Sequence, residues 1–196
     1  MDLLTGTSLR AVLQEEGALA QAEVVDYVSQ VCSALADAHR SNIIHRDIRP
    51  ENVFLAEDPT ADPTVKLLAF GMALILDDGG QQTATVRLGS SPEYLSPEQL
   101  RDPHTVDARS DLWAVGMLMY ELLAGRTPFQ GLNTAQTCLQ ITGGSLPRIE
   151  EVCPDLPAEL AGVIHRCLEV DAARRPQSAD ELCQALEPFS GPHLLI

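Results

Sequence analysis

The chain has 196 residues, 45% of them hydrophobic, with 28 acidic residues against 13 basic ones and a formal charge of −15. That length and mixture suit one globular domain with a substantial core and argue against a disordered chain. The acidic excess disfavours nucleic acid as a partner and favours a basic protein surface instead.

In chain order, Thr5-Gly6-Thr7-Ser8 offers hydroxyls that can cap a short helix through Leu9, Val12 and Leu13. Val24, Val28, Val31, Cys32, Leu35 and Ala38 recur at a helical period and predict one buried-face helix over residues 23–40. A polar loop follows over residues 44–53, which Pro50 keeps from becoming helix. Val53-Phe54-Leu55 and Val65-Lys66-Leu67-Leu68 are β-prone and separated by a turn-rich stretch, so they predict a small hairpin. Little regular structure is expected over residues 71–95, where Gly, Ser, Thr and Gln dominate. Residues 107–125 carry apolar positions nearly all round, the pattern of a helix buried on most faces. Three shorter helices are predicted at 134–142, 157–170 and 178–186, the last with Ser178 and Glu181 as a capping box.

Five cysteines (Cys32, Cys138, Cys153, Cys167, Cys183) are odd in number and lack Cys-x-x-Cys spacing, so reduced and mostly buried thiols are expected rather than a zinc site or a disulfide framework. The longest apolar runs, residues 67–76 and 112–120, fall short of the ~20 residues that cross a bilayer. Asp2 replaces the basic start of a signal peptide and no long apolar stretch follows it. The expectation is a soluble, cytoplasmic chain with no membrane partner.

The chemistry concentrates in Ile44-His45-Arg46-Asp47-Ile48-Arg49-Pro50-Glu51-Asn52-Val53. An Asp and an Asn five residues apart suit phosphoryl transfer, because the acid can accept a hydroxyl proton while the amide holds a metal bound to ATP. This run resembles the His-Arg-Asp and Asn loop of the eukaryotic-type Ser/Thr protein kinase family. Three further runs follow in the family's order: Ser91-Pro92-Glu93-Tyr94-Leu95-Ser96-Pro97-Glu98 resembles the end of the activation segment, Asp111-Leu112-Trp113-Ala114-Val115-Gly116 the start of the central helix, and Arg174-Arg175-Pro176 the late Arg that pairs with the segment's Glu.

The resemblance implies an α+β, mostly α fold: the kinase C-lobe, a helical bundle with a small β-hairpin, over residues 1–189, then a tail at 190–196. It implies Asp47 as catalytic base, Asn52 as a magnesium ligand and cofactor contact, and Arg49 near the transferred phosphate in place of the usual Lys. Ser91 matches the Thr that contacts the base, and His45 and Asp111 are structural positions. Glu98 is expected to pair with Arg175. Arg46 would gather a phosphorylated loop residue, with Thr83 and Thr85 either the candidates or plain loop threonines. Phe54 either stacks on the adenine or fills its pocket, the latter being preferred.

Departures from the family pattern are equally specific. Its magnesium-binding Asp-Phe-Gly reads here Ala69-Phe70-Gly71, and a methyl group cannot coordinate a hard cation. Lys66, the only lysine, lies three residues before Ala69 and cannot be the strand lysine that grips the phosphates. No phosphate-binding Gly-rich loop precedes it, so the chain reads as one lobe beginning near the hinge, with the N-terminal β-rich lobe absent. Loss of that cover predicts an exposed apolar surface at Leu3, Leu4, Phe54 and Leu55, and self-association there. Two functions stay open: a kinase C-lobe whose family activity is ATP- and Mg2+-dependent phosphorylation of protein Ser or Thr, inactive or very weak by itself, or a non-catalytic pseudokinase or C-lobe module that binds a partner protein.

Overall fold

The computed structural model describes residues 5–58, 61–69, 74–75 and 92–191. Strand β1 (Gly6–Ser8) runs directly into helix α1 (Leu9–Glu16), and Ser8 makes the change. Its Oγ accepts a hydrogen bond from the Ala11 N–H at 3.3 Å, satisfying one of the donors that a helix start leaves open. Leu9 and Leu13, one turn apart, form the buried face. Helix α2 (Gln21–Arg40) starts two residues earlier than its periodicity predicts, because the Glu23 carboxylate reaches back to the Ala20 N–H at 3.2 Å. Its Val24, Val28, Val31, Cys32 and Leu35 are buried in the main core.

The predicted hairpin is present as β3 (Val53–Asp58) and β4 (Ala61–Leu67), with Val53 opposite Leu67 and Phe54 opposite Lys66. Unexpected from the sequence is the third strand. β1 pairs antiparallel with β3, so the sheet order is β1-β3-β4. Gly6 is required there, since it sits at φ +145° and a Cβ would lie 2.0 Å from the Leu55 carbonyl oxygen. This strand corrects the expected apolar surface. Leu55 is only 6% exposed, against the expected exposure, while Phe54 is half-buried; Leu3 and Leu4 lie outside the described residues. A second, two-stranded sheet pairs β2 (Ile43–Ile44) with β5 (Leu74–Ile75), which falls within the stretch expected to lack regular structure.

Five more helices follow: α3 (Pro97–Arg101), α4 (Ala108–Ala124), α5 (Thr134–Gly143), α6 (Ala158–Cys167) and α7 (Ala179–Leu186). α4 is the central helix the sequence predicts. Asp107 caps it by accepting from the Arg109 N–H at 2.8 Å, and every residue from Ser110 to Leu123 is buried. Gly116 lets α6 approach, since a Cβ there would lie 2.6 Å from the Cys167 Cβ. The main core joins α1, α2, α4, α6 and α7 to the sheet, and a second cluster gathers Tyr94, Trp113, Met117, Phe129 and Ile141 under α4. Burying a side chain such as Leu35 contributes roughly 1.5–3 kcal/mol.

Two details differ from expectation. α6 stops at Cys167 rather than 170, because the Glu169 and Val170 carbonyls turn to accept from Arg175. Ser178 caps α7 by accepting from the Glu181 N–H, but the Glu181 carboxylate accepts from the Gln177 N–H and pairs with Arg166, so the reciprocal half of the capping box is not made. All five cysteines are free. Only Cys32 and Cys167 are fully buried, fewer than expected, and burial pushes the Cys167 thiol up to about 12. Among the described residues no helix is long and apolar enough to cross a membrane.

Candidate active site

The polar loop begins where β2 ends and is held from beneath by one buried carboxylate. Asp111, the acid in the first turn of α4, is 1% exposed. Its Oδ2 accepts from the His45 N–H at 2.9 Å and its Oδ1 from the Arg46 N–H at 2.8 Å. His39, near the end of α2, adds its Nε2 to Asp111 Oδ2 at 2.8 Å. These donors fit a backbone that bends sharply: Arg46 sits at φ +69°, a left-handed conformation that non-glycine residues seldom adopt. The fully buried His45 ring then spans the loop, accepting from the Asp47 N–H at Nδ1 (3.3 Å) and donating from Nε2 to the Leu68 carbonyl at 2.9 Å.

Asp47 and Asn52 meet as the sequence suggests. Pro50 does not abolish helical backbone but opens a single 3₁₀ turn, Pro50–Asn52, with the Asn52 N–H on the Arg49 carbonyl at 2.9 Å. That turn brings Asn52 Nδ2 to 2.7 Å from both the carbonyl oxygen and Oδ2 of Asp47. The Asn52 amide is thereby oriented with its nitrogen on Asp47 and its oxygen free of that contact. On the other side the Leu68 N–H donates to the Asn52 carbonyl at 2.8 Å, which continues the β3–β4 register and delivers Ala69 beside the loop. Ala69 is exposed, with φ +63°.

Arg49 is held by two neighbours. Its Nε donates to Glu51 Oε2 at 2.8 Å, and its guanidinium lies 5.9 Å from the centre of the Tyr94 ring. Glu51 also accepts from Arg10 Nε at 2.9 Å. Burial raises the Glu51 carboxyl pKa, but the hydrogen bonds from Arg49, its own backbone and Arg10 outweigh it and hold the group at about 2. Arg10, on α1, is a hub that sequence reasoning missed. It donates to Glu121 Oε1 at 2.7 Å and to the Tyr94 hydroxyl at 2.9 Å, and that hydroxyl donates in turn to Glu121. One cation so ties α1, the loop, the 3₁₀ turn Pro92–Tyr94 and α4 together.

The ion pair expected between Glu98 and Arg175 is formed and bidentate, at 2.7 and 2.8 Å. Arg175 is fully buried, stacks 5.1 Å from the Trp113 ring centre and also donates to the carbonyls of Arg109 and Glu169. Burial pushes the Glu98 carboxyl up, while Arg175 and the Ser110 hydroxyl, which donates at 2.6 Å, bring it below its ordinary value. Arg46 sends Nη2 to the Pro103 carbonyl at 3.0 Å and keeps its Nε buried without a partner; burial lowers its pKa against the pull of Asp111. The candidates Phe70, Gly71, Thr83, Thr85 and Ser91 lie outside the described residues.

The donor set decides what metal chemistry is available. Beside the loop stand one amide oxygen, from Asn52, and the carboxylate of Asp47, which is already engaged by that amide. Ala69 contributes none, and among the described residues no group of three His, Cys, Asp or Glu could hold a metal ion. A magnesium ion takes near-octahedral oxygen ligation, with water and phosphate oxygens beside one or two protein ligands; among the described residues Asn52 and Asp47 are the ones that would hold it, and Ala69 adds no ligand.

Comparison with known proteins agrees with this geometry. The family described as "Protein kinase domain" matches residues 1–186. The chain is 37% identical over 185 residues to "Serine/threonine-protein kinase pkn3" of Myxococcus xanthus, covering 92% of this chain and 34% of that protein. It is 38% identical over 159 residues to "Serine/threonine-protein kinase PknL" of Mycobacterium tuberculosis, covering 81% of this chain and 38% of the relative. With "Serine/threonine-protein kinase PknB" of the same species it shares 32% identity over 207 residues, 100% of this chain and 32% of the relative. The chain thus spans about a third of the length of the curated relatives it matches. An acid–amide pair fixed on a carboxylate-pinned loop, a buried Glu–Arg clamp and this extent of shared sequence make the chain a member of the Ser/Thr protein kinase family.

Proposed function

We propose that the chain carries the catalytic-loop lobe of a Ser/Thr protein kinase and that its own phosphoryl transfer is impaired. In this reading Asp47 accepts the proton of a protein Ser or Thr hydroxyl. Because Oδ2 is engaged by Asn52, Oδ1 is the accepting atom, and Asn52 holds that carboxylate in one orientation. The observation that carries the impairment is Ala69, which stands next to an otherwise ordered Asp47–Asn52 pair without a metal-binding oxygen. ATP and Mg2+ are the family's cofactors and a protein is its substrate class; a reducing cytoplasm suits the five free thiols. A radiolabel assay with the purified 196-residue chain and a generic protein substrate should show no Asp47-dependent phosphorylation above background. Incorporation that Asp47→Asn abolishes would overturn the reading.

A second reading, a pseudokinase or C-lobe module that binds a partner protein, is favoured by Arg49. Its Nε donates to Glu51 and its guanidinium lies 5.9 Å from the centre of the Tyr94 ring, contacts made within the lobe itself. Nucleotide binding separates the two. A MgATP-induced rise in melting temperature that Asn52→Ala removes would exclude a scaffold without nucleotide.

A further inference from the structure

The chain around α3 and the chain after α6 enclose a cavity of about 410 Å³ that shares no residue with the Asp47–Asn52 loop. Glu98 and Arg101 of α3 line it together with Thr105, the last residue of the 3₁₀ turn Pro103–Thr105. Val170, Asp171 and Ala172, which lead into the 3₁₀ turn Ala172–Arg174, supply the rest of the lining. Its walls are fixed from behind. Arg175 donates to the Val170 carbonyl at 3.3 Å, and Gly144, just past α5, lets the end of that helix close on Val170, since a Cβ there would lie 2.9 Å from Val170 Cγ2. Arg101 Nη2 donates to the Thr142 carbonyl at 2.6 Å, and Asp171 Oδ1 accepts from the Ala173 N–H at 2.9 Å.

Glu98 brings no net charge to the cavity, because Arg175 neutralises it in a bidentate pair. Arg101 and Asp171 differ from it in this. Among the described residues Arg101 has no carboxylate partner, and its bond to Thr142 uses one of the five N–H donors of a guanidinium. Asp171 Oδ2 likewise has no partner among the described residues, for Arg109, whose charge reaches Asp171, is held by both oxygens of Asp107. Beside these two charges the half-buried Val170 and Ala172 offer apolar surface. A guanidinium grips a carboxylate through paired N–H groups, and a carboxylate accepts from an ammonium. A cavity that presents one of each, with no surplus of either sign, is complementary to a ligand that carries both. Its volume falls within the range of small-ligand sites.

We propose that this cavity binds a zwitterion of dipeptide size with an apolar body, its carboxylate on Arg101, its ammonium on Asp171 and its side chains on Val170 and Ala172. Bound there, the ligand joins α3 to the chain after α6 and stabilises the fold without entering the catalytic loop.

The test is calorimetric titration of the full chain with leucyl-leucine, beside thermal melts at rising dipeptide concentration. The wild-type chain should bind it with a Kd of roughly 1 mM or tighter, and its Tm should climb with concentration. N-acetyl-leucyl-leucine lacks the ammonium and leucyl-leucinamide lacks the carboxylate; each should bind about tenfold more weakly. Arg101→Gln, which can still donate to Thr142, and Asp171→Asn, which can still accept from Ala173, should each weaken leucyl-leucine binding by about tenfold, while Asp37→Asn, at an exposed acid of α2, should leave it unchanged. No binding by the wild-type chain, undiminished affinity for either blocked dipeptide, or affinity unmoved by Arg101→Gln or by Asp171→Asn would each overturn the inference. The blocked dipeptides need only the wild-type chain, so they decide the matter even where a variant fails to fold. None of these results bears on Asp47-dependent transfer, the measurement on which the kinase-lobe reading turns.

Discussion

Replacing Arg175 by Met keeps much of its volume while stripping every charged contact it makes. The structure shows what is lost: both hydrogen bonds to Glu98, those to the carbonyls of Glu169 and Arg109, and the stack on Trp113. The Glu98 carboxylate, 16% exposed, then keeps only Ser110 as a side-chain partner. Breaking a buried pair by removing one member costs roughly 3–5 kcal/mol, because an uncompensated charge remains. For a chain of this size each kcal/mol is worth about 2–4 °C in Tm, so a loss of about 12 °C is expected. Urea unfolding followed by circular dichroism gives the free energy directly, and Arg126→Met, at an exposed site, is the control, expected within about 0.5 kcal/mol of wild type. Adding Glu98→Gln to Arg175→Met should recover part of the loss, since no buried charge is then stranded. A cost below about 1 kcal/mol for Arg175→Met, or a double variant worse than the single one, would refute the view that charge compensation locks α3 to α4 and to the chain after α6.

The Glu51 carboxyl is held at about 2 against an ordinary 4.5, so the unfolded chain binds the proton first. Its stabilisation is therefore complete above pH 4.5 and lost as the pH falls towards 2; stability measured across that window should decline less steeply in Arg49→Ala, which removes the strongest of the interactions lowering it. Asp111→Ala would leave the buried His45 N–H and the part-buried Arg46 N–H without their acceptor. A cost of roughly 3 kcal/mol is expected by urea unfolding, more than for Asp111→Asn, which keeps one oxygen for them.

Much of the site was legible because its local determinants are contiguous. Asp47 and Asn52 are joined by a single turn that Pro50 opens, so their meeting depends on residues lying between them. The Glu98–Arg175 pair, although distant in sequence, was expected from the family resemblance alone. What escaped was the use made of the remaining charges. Arg49 has the residue type of a phosphate contact, and the sequence did not show that its Nε also donates to Glu51 two residues on or that its guanidinium lies beside Tyr94. The expected exposure of Leu55 failed because residues 6–8, too short a run to signal a strand, pair with β3 from outside the hairpin.

By itself the sequence determined the helices whose apolar period is long, the buried character of α4, the order of the family's motifs and the missing carboxylate at Ala69. These follow from spacing and side-chain chemistry, which survive without coordinates. The tertiary structure alone decided that Arg10 joins Glu51, Tyr94 and Glu121 from 41, 84 and 111 positions away, and that His39 shares Asp111 with the loop's own N–H groups. It also decided that Ala69 is held at positive φ by the two bonds on Leu68. The reason is physical: a charge or a backbone group accepts whichever partner the packed elements bring within hydrogen-bond reach, and that distance is set by how helices and strands stack rather than by their separation along the chain.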